Sequence, residues 1–266
     1  MAFFYPSCLE KGMHSELGVS VELSEAEVYW RKFLESLIAR GLHGLKLIVS
    51  DNHVGLKAAR KSVFPSVPWQ RCQFHLQQNA TAHIPRKSMQ QEVHNDIRDV
   101  FNMPTRSDAE IQLKKLIEKY GKTAPDLSSW LENELPEGFT VFNVEPDSLN
   151  ARRKLRTTNM VEFQNKELKK RTRGIRVFPN KESLLRIATA LLIELDEKWL
   201  ANGKVYLKGR RQGFGKFTEK TLRSLIINHG NRLFQASIPS NVRNFSNVIF
   251  QASILSNVRN FSDVIV

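Results

Sequence analysis

The segment "LKLIVSDNHVGLKAA", residues 45–59, decides the fold. Its first six residues, "LKLIVS", form a short apolar run of strand length, and from about Asn52 to Ser62 the apolar residues recur at helical spacing. Asp51 stands at the join, where two roles compete. An Asp readily accepts hydrogen bonds from the open amides of a helix start. An Asp at the carboxyl end of a buried strand in an α/β sheet also lies where binding and catalytic sites collect. Residues 45–59 alone favour the cap.

Upstream, "LGVSVEL" (17–23) alternates as a strand does, and "SEAEVYWRKFLESLIARG" (24–41) reads as a helix. Ser24 and Glu27 have capping-box spacing and Gly41 supplies a stop. Strand, helix, strand, helix in this order predicts an α/β sheet domain. Downstream, "FPSVPWQRCQFHL" (64–76) reads as a Pro-broken turn entering another short strand. Residues 77–137 then change to helices with polar surfaces, an all-helical insertion, and "GFTVFNVEP" (138–146) reads as extended.

Two further helices are predicted at about Asn159–Arg173 and at 184–203, the second with an apolar face. At the C-terminal end, "QASIPSNVRNFSNVIF" (235–250) is followed by "QASILSNVRNFSDVIV" (251–266), two copies identical at thirteen of sixteen positions. Two copies are too few for a solenoid, and weak order with no necessary function is expected there. The chain thus divides into residues 1–76, a first part of the sheet domain; 77–137, the helical insertion; 138–206, its second part; and 207–266, the tail.

Composition bounds the function. The 266 residues are 41% hydrophobic and 25% charged, with no apolar run of about eighteen residues, so a membrane role is not expected. The first residues lack a basic segment followed by a continuous apolar one, and the two cysteines, Cys8 and Cys72, are too few for a disulfide framework. Both point to an intracellular, cytoplasmic setting. The net charge of +13 attracts polyanions, nucleic acid first among them. Residues 151–176 alone hold ten Lys or Arg against two acids.

Within that basic segment Glu162 meets the same competition as Asp51. Asn159 and Glu162 have capping spacing, and Glu near a helix start is favoured by the dipole. Helical periodicity should bring Asn165, Lys166, Lys169 and Arg173 alongside Glu162. A carboxylate at the head of a basic stripe suits a divalent cation beside phosphates. A solvated helix with ordinary pairs such as Glu162 with Lys166 explains the same residues.

Three stretches carry a resemblance: "LGVSVELSEAEVYWRKFLESLIARGLHGLK", "LIVSDNHVGLKAARKSVFPSVPWQRCQFHLQQNA" and "TTNMVEFQNKELKKRTRGIRVFPNKESLLRIATALLIELDEKW". Over about residues 17–206 the chain resembles the catalytic half of the mutator-type bacterial insertion-sequence transposases. The resemblance implies a ribonuclease H-like mixed sheet with a helical insertion, and an Asp, Asp, Glu triad holding two divalent metals, normally Mg2+. By position, Asp51 matches the family's second Asp and Glu162 its final Glu, which makes both expected catalytic and metal-binding residues. Cys72 and His75 match a Cys-x-x-His signature, with Asn159 a further family position. Two ligands do not complete a tetrahedral zinc site, so packing or DNA positioning is the expected role of that pair.

The implied chemistry is DNA cleavage and strand transfer by two-metal phosphoryl transfer. Arg152, Arg153, Lys154, Arg156, Asn165, Lys166, Lys169, Lys170 and Arg173 are the expected contacts to transposon-end and target DNA, holding backbone without reading sequence. The resemblance leaves room for a homo-oligomer and places the protein on the bacterial nucleoid. One departure matters. The family's first catalytic Asp lies on a strand upstream of "LGVSVEL", and Glu10, Glu16 and Glu22 do not sit in that motif. The sheet is therefore expected to be incomplete on its N-terminal side and this chain alone to be inactive, at most binding DNA or pairing with an intact transposase.

Overall fold

The computed structural model describes residues 2–8, 13–14, 18–20, 22, 24, 26–40, 42, 45–143, 149–173, 175, 178–202 and 248–254. Its strands are β1 (Ala2–Cys8), β2 (Met13–His14), β3 (Gly18–Ser20), β4 (Leu45–Ser50), β5 (Trp69–Arg71) and β6 (Val248–Ile254). The helices are α1 (Glu27–Ala39), α2 (Val54–Val63), α3 (Gln73–Ala80), α4 (Gln90–Asn102), α5 (Arg106–Gly121), α6 (Pro125–Glu134), α7 (Leu149–Leu155), α8 (Asn159–Thr172) and α9 (Lys181–Ala201).

The strands form one mixed sheet in the order β2-β1-β6-β4-β5, with β3 also paired to β1. β4 runs parallel to both β5 and β6, whereas β1 is antiparallel to β2, β3 and β6. The interior of β4 is apolar because both of its faces are covered: Leu47, Ile48 and Val49 are all fully buried. Ile48 joins Trp30, Phe33, Leu34 and Leu37 of α1 and Leu56 and Ala59 of α2. Alternation turns Leu47 and Val49 toward the other face. α8 and α9 lie against β1, β6, β2 and β3, and Val19 packs there with Val161, Leu168, Ala188 and Leu192. The result is an α/β architecture.

From α3 to Asn143 the chain is mainly helical, and α3–α6 surround a separate core that includes Leu76, Ile97, Phe101, Leu113, Tyr120, Leu131 and Phe139. This unit is fastened to the sheet by polar bonds. Gln70 Oε1 accepts from the Val141 amide at 2.8 Å, and within the unit Gln73 Nε2 of α3 donates to the Gly138 carbonyl at 2.7 Å. Gly138 is required at that approach, since a Cβ would lie 2.8 Å from both Leu76 Cδ1 and Phe101 Cε1. Buried Arg71 donates to Glu137 at 3.0 Å and also bonds Glu134.

Several sequence expectations change. α1 begins at Glu27 with Ala26 at the cap, so the Ser24–Glu27 capping box is not formed; Gly41 lies outside the described residues. α2 begins at Val54, and its cap is His53, whose Nδ1 accepts the Leu56 amide at 3.3 Å. Asp51 is two residues too early to cap it. Of the stretch expected to be extended at 138–146, residues 138–143 lie in a pair of short 3-10 turns, Leu135–Gly138 and Thr140–Asn143, and 144–146 lie outside the described residues. There Phe139 buries its side chain in the helical core, Val141 is also buried, and Gln70 takes the Val141 amide. Within the tail, residues 248–254 depart from expectation: β6 straddles the junction of the two copies and fills the slot between β1 and β4. The remainder of 203–266 lies outside the described residues.

Candidate functional site

β4 ends at Ser50, and the backbone around it is tied down on several sides. The Ser50 hydroxyl donates to the Asp51 carbonyl at 2.8 Å and accepts the Trp69 indole N–H at 2.8 Å. The Ser50 carbonyl accepts the Cys72 amide at 2.7 Å. These bonds set Asp51, half-buried, at the carboxyl end of β4 beside the start of α3. Trp69 in turn carries Lys57 Nζ 4.4 Å and the Arg60 guanidinium 5.2 Å from its ring centroid, an arrangement that favours cations on its face.

Cys72 is the cap residue of α3 and His75 stands one turn on, so their side chains share a face. Residue 72 also holds the second half of the site. Its fully buried sulfur accepts the Thr158 amide at 3.4 Å, the Gln73 amide donates to the Arg156 carbonyl at 3.0 Å, and the Thr158 hydroxyl lies 3.2 Å from the sulfur. The same hydroxyl bonds Glu162 Oε1 at 2.9 Å. Glu162, in the first turn of α8, is thereby brought to His75, with Oε1 3.6 Å from Nε2.

One donor atom each from Cys72, His75 and Glu162 lie within 4.8 Å of one another. Burial opposes charge on His75, but the adjacent Cys72 sulfur and the carboxylates of Glu162 and Asp51 outweigh it and raise its pKa to about 9. Asp51 and Glu162, 111 residues apart in the chain, thus act on one imidazole.

The basic residues divide. Lys166, Lys170 and Arg173 are exposed along α8 and its end, and Lys169 is half-buried. Asn165 does not join that stripe: at 5% exposure it faces the packed side of the helix. Arg152 and Arg156 are occupied at home. Arg152 donates to the Pro104 and Met103 carbonyls, both at 2.7 Å, and stacks 4.6 Å from the Phe142 centroid. Arg156 donates to the Phe101 carbonyl at 2.9 Å and to Asn102 Oδ1 at 3.1 Å. Both fasten α7 to the C-terminal end of α4, where carbonyls lack helical partners and cations are favoured. Arg153 is exposed, Lys154 is half-buried with interactions of its own, and Asn159 is exposed at the first residue of α8.

Thr158 escaped the sequence reading. Its signal was local, a Thr at the cap position of a helix, but its hydroxyl turns to Glu162 and Cys72 rather than to the helix amides. Among the described residues no helix is long and apolar enough to cross a membrane.

The family model described as "Transposase, Mutator family" matches residues 7–202. The chain is 51% identical over 196 residues to the "Transposase for insertion sequence element IS406" of Burkholderia multivorans, covering 74% of this chain and 50% of that one. It is 35% identical over 189 residues to the "Transposase for insertion sequence element ISRM5" of Rhizobium meliloti, covering 71% and 46%. It is 31% identical over 197 residues to the "Transposase for insertion sequence element IS256 in transposon Tn4001" of Staphylococcus aureus, covering 72% and 48%. The chain spans about half the length of these relatives. With the family model matched over most of its length, the chain belongs to the mutator family of transposases.

Proposed function

We propose that this chain carries the Asp51 and Glu162 portion of a transposase catalytic centre, binds DNA backbone along α8, and does not by itself cut or join DNA. The observation that carries the reading is the meeting of the β4 end with the first turn of α8 around His75, beside an exposed basic stripe. A mixed sheet with a helical unit inserted between the Asp51 strand and the Glu162 helix supports the ribonuclease H-like reading of the fold.

The residues fit one Mg2+ in part. Two carboxylates supply hard oxygens, and Mg2+ keeps several waters, so Asp51 and Glu162 would suffice to hold one such ion. Bound cations would supply a water or 3′-hydroxyl of lowered pKa and charge to steady the leaving oxygen. Lys166, Lys169 and Arg173 would hold phosphates and so position the strand without reading its bases. Thr158, through its bond to Glu162, would fix the carboxylate's orientation.

The test uses the full chain, Mg2+ and duplexes carrying terminal repeats of mutator-family insertion elements. Salt-sensitive retention of the duplex without nicking or joined product is the expected result. Strand transfer abolished by Asp51→Asn would overturn the claim of inactivity. Absence of DNA binding at low salt would overturn the proposed role altogether.

A further inference from the structure

The donors gathered at the start of α3 are a poor match to Mg2+ and a good match to a softer ion. Magnesium prefers oxygen, whereas a thiolate, an imidazole and a carboxylate together suit a borderline ion of the Zn2+ class. We propose that Cys72 Sγ, a ring nitrogen of His75 and a carboxylate oxygen of Glu162 form a binding site for such a transition-metal ion, with water in the fourth position.

The geometry is nearly closed. An ion with bonds of about 2.0–2.3 Å holds its tetrahedral ligands about 3.3–3.8 Å apart. The three donors already lie within 4.8 Å of one another, so binding requires a contraction of about 1 Å. His75 Nδ1 is buried and has no hydrogen-bond partner, so a metal ion would displace a proton there without breaking a hydrogen bond. The sulfur is fully buried, and a thiolate there is stabilised by a bound cation. Thr158 supplies the outer layer that such sites use: its amide donates to the sulfur and its hydroxyl contacts both the sulfur and Glu162, orienting two ligands at once. Two ligands from one turn and one from a distant helix, plus an open position, is the ligand count of an accessible zinc site.

Because Glu162 belongs to both donor sets, this ion would compete with Mg2+ at the proposed catalytic carboxylates. That consequence rests on the proposed function; the binding site does not. The experiment is therefore done without DNA. The metal-stripped full chain is titrated with Co2+, read by thiolate-to-cobalt charge-transfer absorption, and with Zn2+ against a chromophoric chelator. One equivalent should bind, with the charge-transfer band, in the presence of excess Mg2+.

Cys72→Ser should remove the band while Cys8 remains as a control for thiols elsewhere. His75→Gln and Glu162→Gln should each weaken Zn2+ about tenfold or more, and Thr158→Val about tenfold with the band retained. Should Cys72→Ser fail to fold, Glu162→Gln, at a side chain 31% exposed, still decides the matter. No charge-transfer band, or Zn2+ binding unchanged in Glu162→Gln, would overturn the site.

Discussion

At the scale of single residues, the structure separates side chains that look alike in sequence. Asp51 read locally as a cap, yet His53 performs the capping and Asp51 faces the site. His53→Ala should therefore cost about 1 kcal/mol in a urea melt. A comparable loss from Asp51→Asn, with none from His53→Ala, would reverse the assignment. Arg152 of α7 and Arg156 just after it offer a similar contrast. Arg156→Ala leaves the Phe101 carbonyl and Asn102 without their donor and should destabilise the fold by about 1–3 kcal/mol. DNA affinity that falls with no change in stability would instead return Arg156 to the DNA surface.

His75 sets a pH dependence at the same scale. Its pKa is raised from an ordinary 6.5 to about 9, so its contribution to stability is complete below 6.5 and is lost as pH rises through 9. The metal-free chain should lose stability between those values, and His75→Gln should flatten that part of the profile. An imidazole resonance titrating near the ordinary value would show that the surrounding sulfur and carboxylates do not govern it.

At the scale of elements, α8 is the working helix, and its two faces do different things. Val161, Gln164, Asn165 and Leu168 are buried, while Lys166, Lys170 and Arg173 stay exposed. Replacing Lys166, Lys169 and Arg173 together by Ala should lower the slope of log affinity against log salt by about 2.7, one counterion per lost phosphate contact. Fluorescence anisotropy with a short duplex measures it; an unchanged slope would place the DNA elsewhere.

How far these elements were legible follows from their physics. β4, α8 and α9 were readable because apolar periodicity is local and strong. The burial of Asn165 was not, because spacing along one helix says which residues share a face and not which face meets the sheet. The Cys72, His75 and Glu162 cluster required contacts across 87 residues, and Thr158, which joins them, had no pattern beyond its cap position.

At the scale of the whole molecule, the sheet depends on chain ends that sequence reading set aside. β6 bridges an antiparallel set and a parallel pair, so removing it would uncover both β1 and β4 along their hydrogen-bonding edges. Deleting residues 248–266 should broaden the thermal transition and promote association, whereas a cooperative melt unchanged by the deletion would show the sheet complete without β6. Sequence could not place this strand, since pairing between residues about two hundred apart follows from sheet register and not from local periodicity.

The convergence of Asp51 and Glu162 is the claim on which the functional account turns. Crystals of the full chain soaked in Mn2+, a stand-in for Mg2+ with usable anomalous scattering, address it directly. An anomalous peak bonded to oxygens of both Asp51 and Glu162 is expected, and a peak bonded to neither, with the two carboxylates turned apart, would show that they form no shared site.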